Sequence, residues 1–227
     1  MRHLATLAAA VGAAFAVSGA QAAVLILDDF STPIPGLTIF DTSNAAGSAT
    51  NVTANPSVYA TARTLSHTLL TNAPNSAGFF SSAGTGALPN FLPNQLNMSN
   101  GNATDSRVDV LWNLGSIVAS TPTSFVIDVI SSDPGVTGSM NTIEAFLNGV
   151  SLGSQNGMTG AVLSYAVNAA QAASLAAGST FSFVINGADA WDMAVDNLRL
   201  QIPEPTSLAL VGLALLGAGV VARRRKA

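Results

Sequence analysis

A strict alternation of apolar and polar residues runs through residues 106–115, SRVDVLWNLG. Its apolar positions are Val108, Val110, Trp112 and Leu114. Because successive side chains of a β-strand point to opposite faces, this alternation predicts a strand with one buried face. Trp112 shares that face with valines, so we expect it in the hydrophobic core.

Similar strand signals extend through most of the chain between residues 23 and 201. Single strands are predicted at 24–30, 61–71 and 123–132, with a shorter one at 95–99. A hairpin is predicted within 142–154, and two strands around an Asn-Gly-Ala-Asp turn within 179–200. Asn148-Gly149 within 142–154 is a strong signal for a tight hairpin. Short strands at this spacing, without a long helix, predict an all-β domain over residues 23–201, folded as a β-sandwich or jelly roll.

Two kinds of segment depart from the strand pattern. Residues 168–177 are rich in alanine, and we expect a short helix there that Asn168 caps and Gly178 ends. Residues 41–60 and 72–105 are rich in small and polar residues, and we interpret them as long loops with one or two embedded strands.

The charge distribution argues against nucleic acid as a partner. Residues 23–205 contain three basic residues and all twelve acidic ones, a net charge of −9. Nucleic-acid binding depends on lysine and arginine that neutralise phosphates. The chain also has no cysteine, which excludes disulfides and cysteine-based metal sites.

The N-terminus has the pattern of a secretory signal peptide over residues 1–22. A basic start precedes an apolar stretch that is short for a membrane span. Ala20-Gln21-Ala22 then matches the small-x-small cleavage pattern. We expect cleavage after Ala22 and export of a chain that begins at Ala23; the alternative is an uncleaved N-terminal anchor.

The C-terminus predicts a second membrane segment of a different kind. Residues 206–222 carry no charge and, as a helix, would be about 25 Å long. The basic residues that follow are Arg223, Arg224, Arg225 and Lys226. Because positive residues stay on the cytoplasmic side, the preceding domain would face outward. Pro203-Glu204-Pro205 lies just before this segment and must be extended, since proline cannot continue a helix.

A proline-glutamate-proline motif, an apolar segment and a terminal basic cluster together resemble the PEP-CTERM sorting tail of Gram-negative bacteria, here over residues 202–227. The resemblance implies that an exosortase, a membrane enzyme, processes the chain near Pro203, Glu204 and Pro205. It also implies an association with exopolysaccharide and biofilm systems. The alternative is a plain single-span anchor with a proline-rich stalk.

Few residues between the two ends carry candidate chemistry. His67 is the only histidine after the signal peptide, which leaves no zinc site and no convincing catalytic base. Carboxylates near the first and last strands, Asp29 and Asp196 above all, are candidates for a structural calcium site. Glu144 is the only glutamate before the tail, so a glycosidase pair has little support. Trp191 lies in a hairpin where exposure to a sugar ligand is expected.

These observations predict an exported, non-enzymatic component of the cell envelope or biofilm, with no catalytic residues. It would be held in the inner membrane as an intermediate and then reach the cell surface or the extracellular space. A carbohydrate-binding module retained in exopolysaccharide is the first alternative. A hydrolase that uses Asp29, Asp196 or Glu144 is the second.

Overall fold

Two antiparallel sheets lie face to face across one hydrophobic core in the computed structural model. The structure describes residues 23–32, 38–39, 48–72, 79–82, 94–101, 104–119, 123–135 and 138–202. In chain order its elements are β1 (Ala23–Asp28), β2 (Thr38–Ile39), β3 (Ser48–Ala54), β4 (Ala60–Asn72), β5 (Phe79–Ser82), β6 (Leu96–Asn100), β7 (Thr104–Leu114), β8 (Thr123–Asp133), β9 (Thr142–Leu147), β10 (Val150–Asn156), β11 (Val162–Val167), α1 (Ala169–Leu175), β12 (Ser179–Asn186) and β13 (Asp192–Ile202). The prediction of a β-sandwich is confirmed.

The strand order places the last strand in the middle of one sheet. Sheet A has the order β11-β8-β13-β6-β5-β2, and sheet B has the order β10-β9-β12-β7-β4-β3. On one side of β13, residues 192–195 pair with β6 and residues 198–202 pair with β1. Strand β8 pairs with β13 along the other side. The first and last strands of the domain are therefore direct neighbours.

The core forms where the alternating faces of the two sheets meet. The predicted strand 106–115 is β7, and its residues Val108, Val110 and Trp112 are fully buried. The rings of Phe125 in sheet A and Phe181 in sheet B stack with their centroids 3.8 Å apart. Aromatic contacts of this kind add to the area that the two sheets bury and fix how they face each other.

The predicted hairpin and helix are both confirmed. Asn148 and Gly149 connect β9 to β10 with φ angles of 51° and 77°, the left-handed conformation that a two-residue hairpin requires. Helix α1 is shorter than the predicted 168–177 and is capped by Asn168. The Asn168 side chain accepts a hydrogen bond from the Gln171 backbone at 2.9 Å, and the Gln171 side chain accepts one from the Asn168 backbone.

The regions predicted as long loops contain more strand than expected. Strands β3 and β5 lie within them, together with β6. Strand β3 forms the edge of sheet B and pairs only with β4 among the described residues. An edge strand with one partner needs few large apolar side chains, which is why its Ala, Thr and Asn composition resembles that of a loop.

Both ends of the described domain lie at one end of the sandwich. Ala23, the first residue that the structure describes, pairs with Ile202, the last one. We call this end the terminal pole. Besides Ala23 and Ile202, it is formed by the connections 55–59, 115–119, 148–149 and 168–178. The opposite end, the distal pole, is formed by the connections after β8, β10 and β12.

Candidate functional site

The acidic residues predicted as a site gather where β1 ends beside β13. Asp28 is the last residue of β1 and pairs with Leu198. Strand β13 has a bulge between Asp196 and Arg199, with Asn197 at a φ of 52°. We call this region the β1–β13 junction. Residues 196 and 197 lie between the part of β13 that pairs with β6 and the part that pairs with β1, so no described strand pairs with them on that side.

Asp28, rather than Asp29, is the aspartate at the centre of the buried contacts in this region. Its carboxylate is fully buried and forms an ion pair with Arg63 at 2.7 Å. The indole Nε1 of Trp112 donates to the same carboxylate at 2.7 Å, and the backbone of Phe30 donates to it at 2.8 Å. Burial raises the pKa of Asp28, while the positive charge of Arg63 acts in the opposite direction. We call Asp28, Arg63 and Trp112 the buried clasp, because they link sheet A to sheet B.

The clasp was not predicted, although the sequence contains a signal for it. Arg63 is two residues before Leu65, and His67 is two residues after it, so all three lie on one face of β4. That face is the buried one. The alternation in 61–71, applied strictly, therefore predicts a charged arginine in the core, where it needs a carboxylate partner.

The negative charge of Asp29 acts on the carboxyl group of Asp196. The pKa of Asp196 is raised, mainly by burial, and the negative charges of Asp128 and Asp29 add to this. Each carboxylate already has a partner within the chain. Asp29 accepts from the Ser31 hydroxyl at 2.6 Å, and Asp196 accepts from the Asn197 backbone at 2.6 Å.

The predicted calcium site is only partly matched by this arrangement. Calcium prefers six to eight oxygen ligands. Asp128, the third acid of the junction, forms an ion pair with Arg199 at 2.8 Å, which brings a competing positive charge to the same place. Within the described ranges, no three acidic or histidine side chains are arranged to hold a metal. Calcium binding at Asp29 and Asp196 stays a prediction.

His67 lies in a buried hydrogen-bond network that joins the sheets near the distal pole. Its Nε2 lies 2.7 Å from the Ser106 hydroxyl, which itself donates to the side-chain oxygen of Asn100. Asn100 in turn donates to the backbone oxygen of Trp191 at 2.8 Å. Because the Ser106 proton points to Asn100, His67 must be the donor to Ser106. His67 therefore does not act as a base toward this serine.

Burial of His67 predicts a loss of stability in acid. Burial lowers the pKa of His67 to about 3, below the ordinary value of 6.5. The unfolded chain therefore gains a proton below about pH 6.5 that the folded chain does not. We expect the free energy of unfolding to fall ever more steeply as the pH drops through 6.5, with a slope that approaches about 1.4 kcal/mol per pH unit near about pH 5. Urea unfolding at about pH 7, 6 and 5 would measure it.

The His67→Gln variant is the control for this pH dependence, because glutamine keeps a hydrogen-bond donor but does not titrate. Aspartates with raised pKa values, such as Asp192 and Asp196, act in the opposite direction, since they stabilise the fold as the pH falls. They are present in both proteins, so the difference between the two slopes reports His67 alone. Equal slopes would contradict the role assigned to His67.

The prediction that Trp191 is exposed is wrong. Its side chain is fully buried, and its Nε1 donates to the Ser106 backbone oxygen at 2.9 Å. The predicted hairpin around it is also wrong: β12 belongs to sheet B and β13 to sheet A, so the segment that holds Trp191 crosses between the sheets and its indole fills the core beneath the distal pole. Trp112, predicted in the core, is buried there. Neither tryptophan presents a ring to a ligand.

Glu144 is separated from the junction acids by the thickness of the sandwich. It lies on the outer face of sheet B, between the core residues Ile143 and Ala145. Its carboxylate accepts a hydrogen bond from the Ser151 hydroxyl at 2.7 Å. Asp29 and Asp196 belong to sheet A, so these three carboxylates do not face a shared cleft.

The predicted processing signals lie outside the described residues. These are Ala20 and Ala22 at the N-terminus, the motif Pro203, Glu204 and Pro205, and the basic cluster Arg223, Arg224, Arg225 and Lys226. Within the part of the chain that the structure describes, no helix has the length and hydropathy of a membrane span. The signal peptide over 1–22 and the membrane helix over 206–222 stay predictions.

The fold and the tail define an all-β domain followed directly by a C-terminal sorting segment. Residues 201–226 match the family model of the PEP-CTERM protein-sorting motif. The chain therefore carries this motif, as its tail sequence predicts, and the motif implies export and processing by an exosortase.

Solved structures with some similarity to the chain have low sequence identity to it. A family 11 carbohydrate-binding module of the cellulosomal cellulase Lic26A-Cel5E of Clostridium thermocellum is 12% identical, with a TM-score of 0.36 over 81% of this chain and 96% of that one. The same family's module in complex with a β-1,3-1,4-mixed-linked tetrasaccharide is 13% identical, with a TM-score of 0.31 over 79% and 95%. CBM51-2 in complex with GlcNAc and INT domains from Clostridium perfringens ZmpB is 10% identical, with a TM-score of 0.28 over 75% of this chain and 40% of that one. No curated protein matches the chain. At these TM-scores the structural likenesses carry no argument about function.

Proposed function

We propose that this chain is an exported, non-enzymatic β-sandwich protein that a membrane-embedded tail holds and an exosortase passes to the cell surface or extracellular matrix. The PEP-CTERM motif at residues 201–226 is the observation that carries the proposal. Residues 206–222 of the tail then serve as a temporary anchor in the inner membrane. The basic residues 223–226 hold its end on the cytoplasmic side.

The way the domain meets its tail supports a removable anchor. Strand β13 stays paired through Gln201 and Ile202, where it contacts β1. Pro203 follows immediately, and proline cannot donate a further ladder hydrogen bond. A cut at or after Pro203 would therefore release the domain without removing any residue that pairs in the sheet.

The absence of a catalytic role is supported by how the candidate residues are used. The hydrogen bonds around His67 make it a donor, and its ring is buried. The carboxylates of Asp29 and Asp196 lie in a different sheet from Glu144 and do not converge with it. Each of these acids has a hydrogen-bond partner close by in the chain.

Retention in exopolysaccharide stays a prediction with less support. Sugar recognition commonly uses exposed aromatic rings. Among the residues whose side-chain exposure the structure describes, none of the exposed large hydrophobic side chains is aromatic. We therefore expect weak or no binding to isolated oligosaccharides. Isothermal titration calorimetry with glycans would test this, because the two buried tryptophans would not report a ligand at the surface.

Changes to the motif should block release of the protein. In cells that contain an exosortase, we expect the native chain to lose its basic terminus, including Arg223 and Lys226. A Pro203→Ala, Pro205→Ala double variant should keep that terminus, because its tail can continue as a helix where the motif must be extended. Mass spectrometry of the chain from cells and medium would measure both.

A proline far from the tail provides the control. Pro134→Ala changes a residue at the distal pole and should be processed like the native chain. In a strain without the exosortase, all three proteins should keep residues 223–226. If the native chain keeps residues 223–226 in the strain that has the enzyme, the proposed processing is wrong.

A further inference from the structure

The terminal pole presents an uncharged surface with two projecting valines. Its described connections, residues 55–59, 115–119, 148–149 and 168–178, contain no acidic or basic residue. Val58 is 92% exposed and Val118 is 86% exposed, the two highest values among the exposed large hydrophobic residues described. Single exposed hydrophobic residues are common on protein surfaces, but two of them at one uncharged end of the domain need a physical explanation.

Hydrogen bonds join these connections into one surface. The Gly115 backbone donates to the Tyr59 oxygen at 2.9 Å, and the Ile117 backbone donates to the Leu175 oxygen at 2.9 Å. The Asn148 side chain donates to the Ser174 hydroxyl at 3.2 Å. Val58 and Val118 are each next to a residue in this network, so both valines project from the same hydrogen-bonded surface.

The rest of the domain is acidic. Residues 23–202 contain three arginines and eleven acidic residues, a net charge of −8. The described charges lie along the strands, at the β1–β13 junction or at the distal pole, where Asp133 and Asp189 are exposed. Bacterial membrane surfaces that contain anionic lipids repel such a body. The repulsion is weakest when the uncharged terminal pole faces the membrane.

The chain ends also direct this pole toward the membrane. Ile202, the last paired residue, is at the terminal pole, and only residues 203–205 separate it from the apolar segment that begins at 206. Three fully extended residues span at most about 11 Å. While the tail is in the membrane, the terminal pole must therefore lie within that distance of the bilayer surface.

We propose that the terminal pole is a membrane-contacting surface, and that Val58 and Val118 enter the headgroup region of the phospholipid bilayer while the tail is attached. This inference rests on the proposed function, because it requires the tail to be in the membrane. Apolar side chains on an uncharged surface gain free energy on leaving water, and no charge has to be desolvated. After the tail is cut, the acidic domain leaves the surface.

Site-directed spin labelling can test the contact, because the chain has no cysteine of its own. Single variants Val58→Cys and Val118→Cys place a nitroxide at the terminal pole. Met140→Cys and Met158→Cys, at residues 50% and 52% exposed near the distal pole, are the matched controls. The full chain is reconstituted into vesicles of phosphatidylethanolamine and phosphatidylglycerol, and its association is checked by flotation. Collision rates with oxygen and with a water-soluble nickel complex are then measured.

We expect labels at 58 and 118 to collide with the nickel complex several-fold less often than labels at 140 and 158, and to collide more often with oxygen. If the chain floats with the vesicles but all four labels collide equally often with the nickel complex, the proposed contact of the terminal pole is wrong. The proposed insertion of the tail in the membrane is then still supported. If the chain does not float, the membrane tail is wrong and the contact fails with it.

Discussion

Replacing Arg63 with methionine should lower the free energy of unfolding by about 3–5 kcal/mol, because it leaves the Asp28 carboxylate buried without its charge partner. Both side chains of this ion pair are fully buried. Methionine keeps most of the volume of the arginine stem, so the loss reports the charge rather than a cavity. Urea unfolding of the purified protein, followed by tryptophan fluorescence, would measure the change.

The control for this variant is Arg107→Met, which breaks an exposed ion pair. Arg107 contacts Asp109 at 2.6 Å, but the two side chains are 47% and 32% exposed. We expect a change of less than about 1 kcal/mol. The two variants should also differ in pH dependence. Loss of Arg63 raises the pKa of Asp28 further, so the Arg63→Met deficit should shrink as the pH falls and Asp28 gains a proton. Equal deficits in both variants would contradict the buried clasp.

Replacing Trp112 with phenylalanine should cost about 2–4 kcal/mol, since it removes core volume and a hydrogen bond to a charged group. Trp112 is packed against Phe181 and Phe183, with ring centroids 6.0 and 5.8 Å away. Its Nε1 donates to the Asp28 carboxylate. Thermal and urea unfolding would measure the loss, with Trp191 as the remaining fluorescent probe.

Trp191→Phe is a close match for this comparison. Trp191 is equally buried, and the volume removed is the same, but its Nε1 donates to a neutral backbone oxygen. Hydrogen bonds to charged groups are worth more than those to neutral ones, so we expect Trp191→Phe to cost about 1 kcal/mol less. If the Trp191 variant is the less stable one, the charge of Asp28 is not what makes Trp112 important.

Local patterns in the sequence were enough to predict much of the fold. The alternation in 106–115 identified β7, Asn148-Gly149 identified the hairpin, and Asn168 identified the start of α1. Each of these depends on contacts between residues near in sequence or on one strand's own periodicity. Strand β11 was missed, although Leu163, Tyr165 and Val167 alternate toward the core. Its outward residues Val162 and Ala166 are also apolar, and they conceal the alternation.

The junction was predicted only in part, because it depends on which strands become neighbours. Asp29 and Asp196 do lie near each other, as expected for paired first and last strands. The sequence did not indicate that Asp28 would turn inward to Arg63, since the two residues are 35 positions apart. The exposure predicted for Trp191 was wrong for a similar reason: a tryptophan in a polar turn can still point its ring inward.

The position of β13 has a consequence for the timing of folding. It is the last strand of the domain to be synthesised, yet it lies between β8 on one side and β1 and β6 on the other. Strand β1 pairs with no other described strand, so it has no partner until the residues of β13 have been synthesised. A chain that is threaded through a translocon N-terminus first would therefore cross the membrane almost completely before sheet A can assemble. Sheet A therefore cannot be complete while residues 192–202 are still being synthesised or translocated.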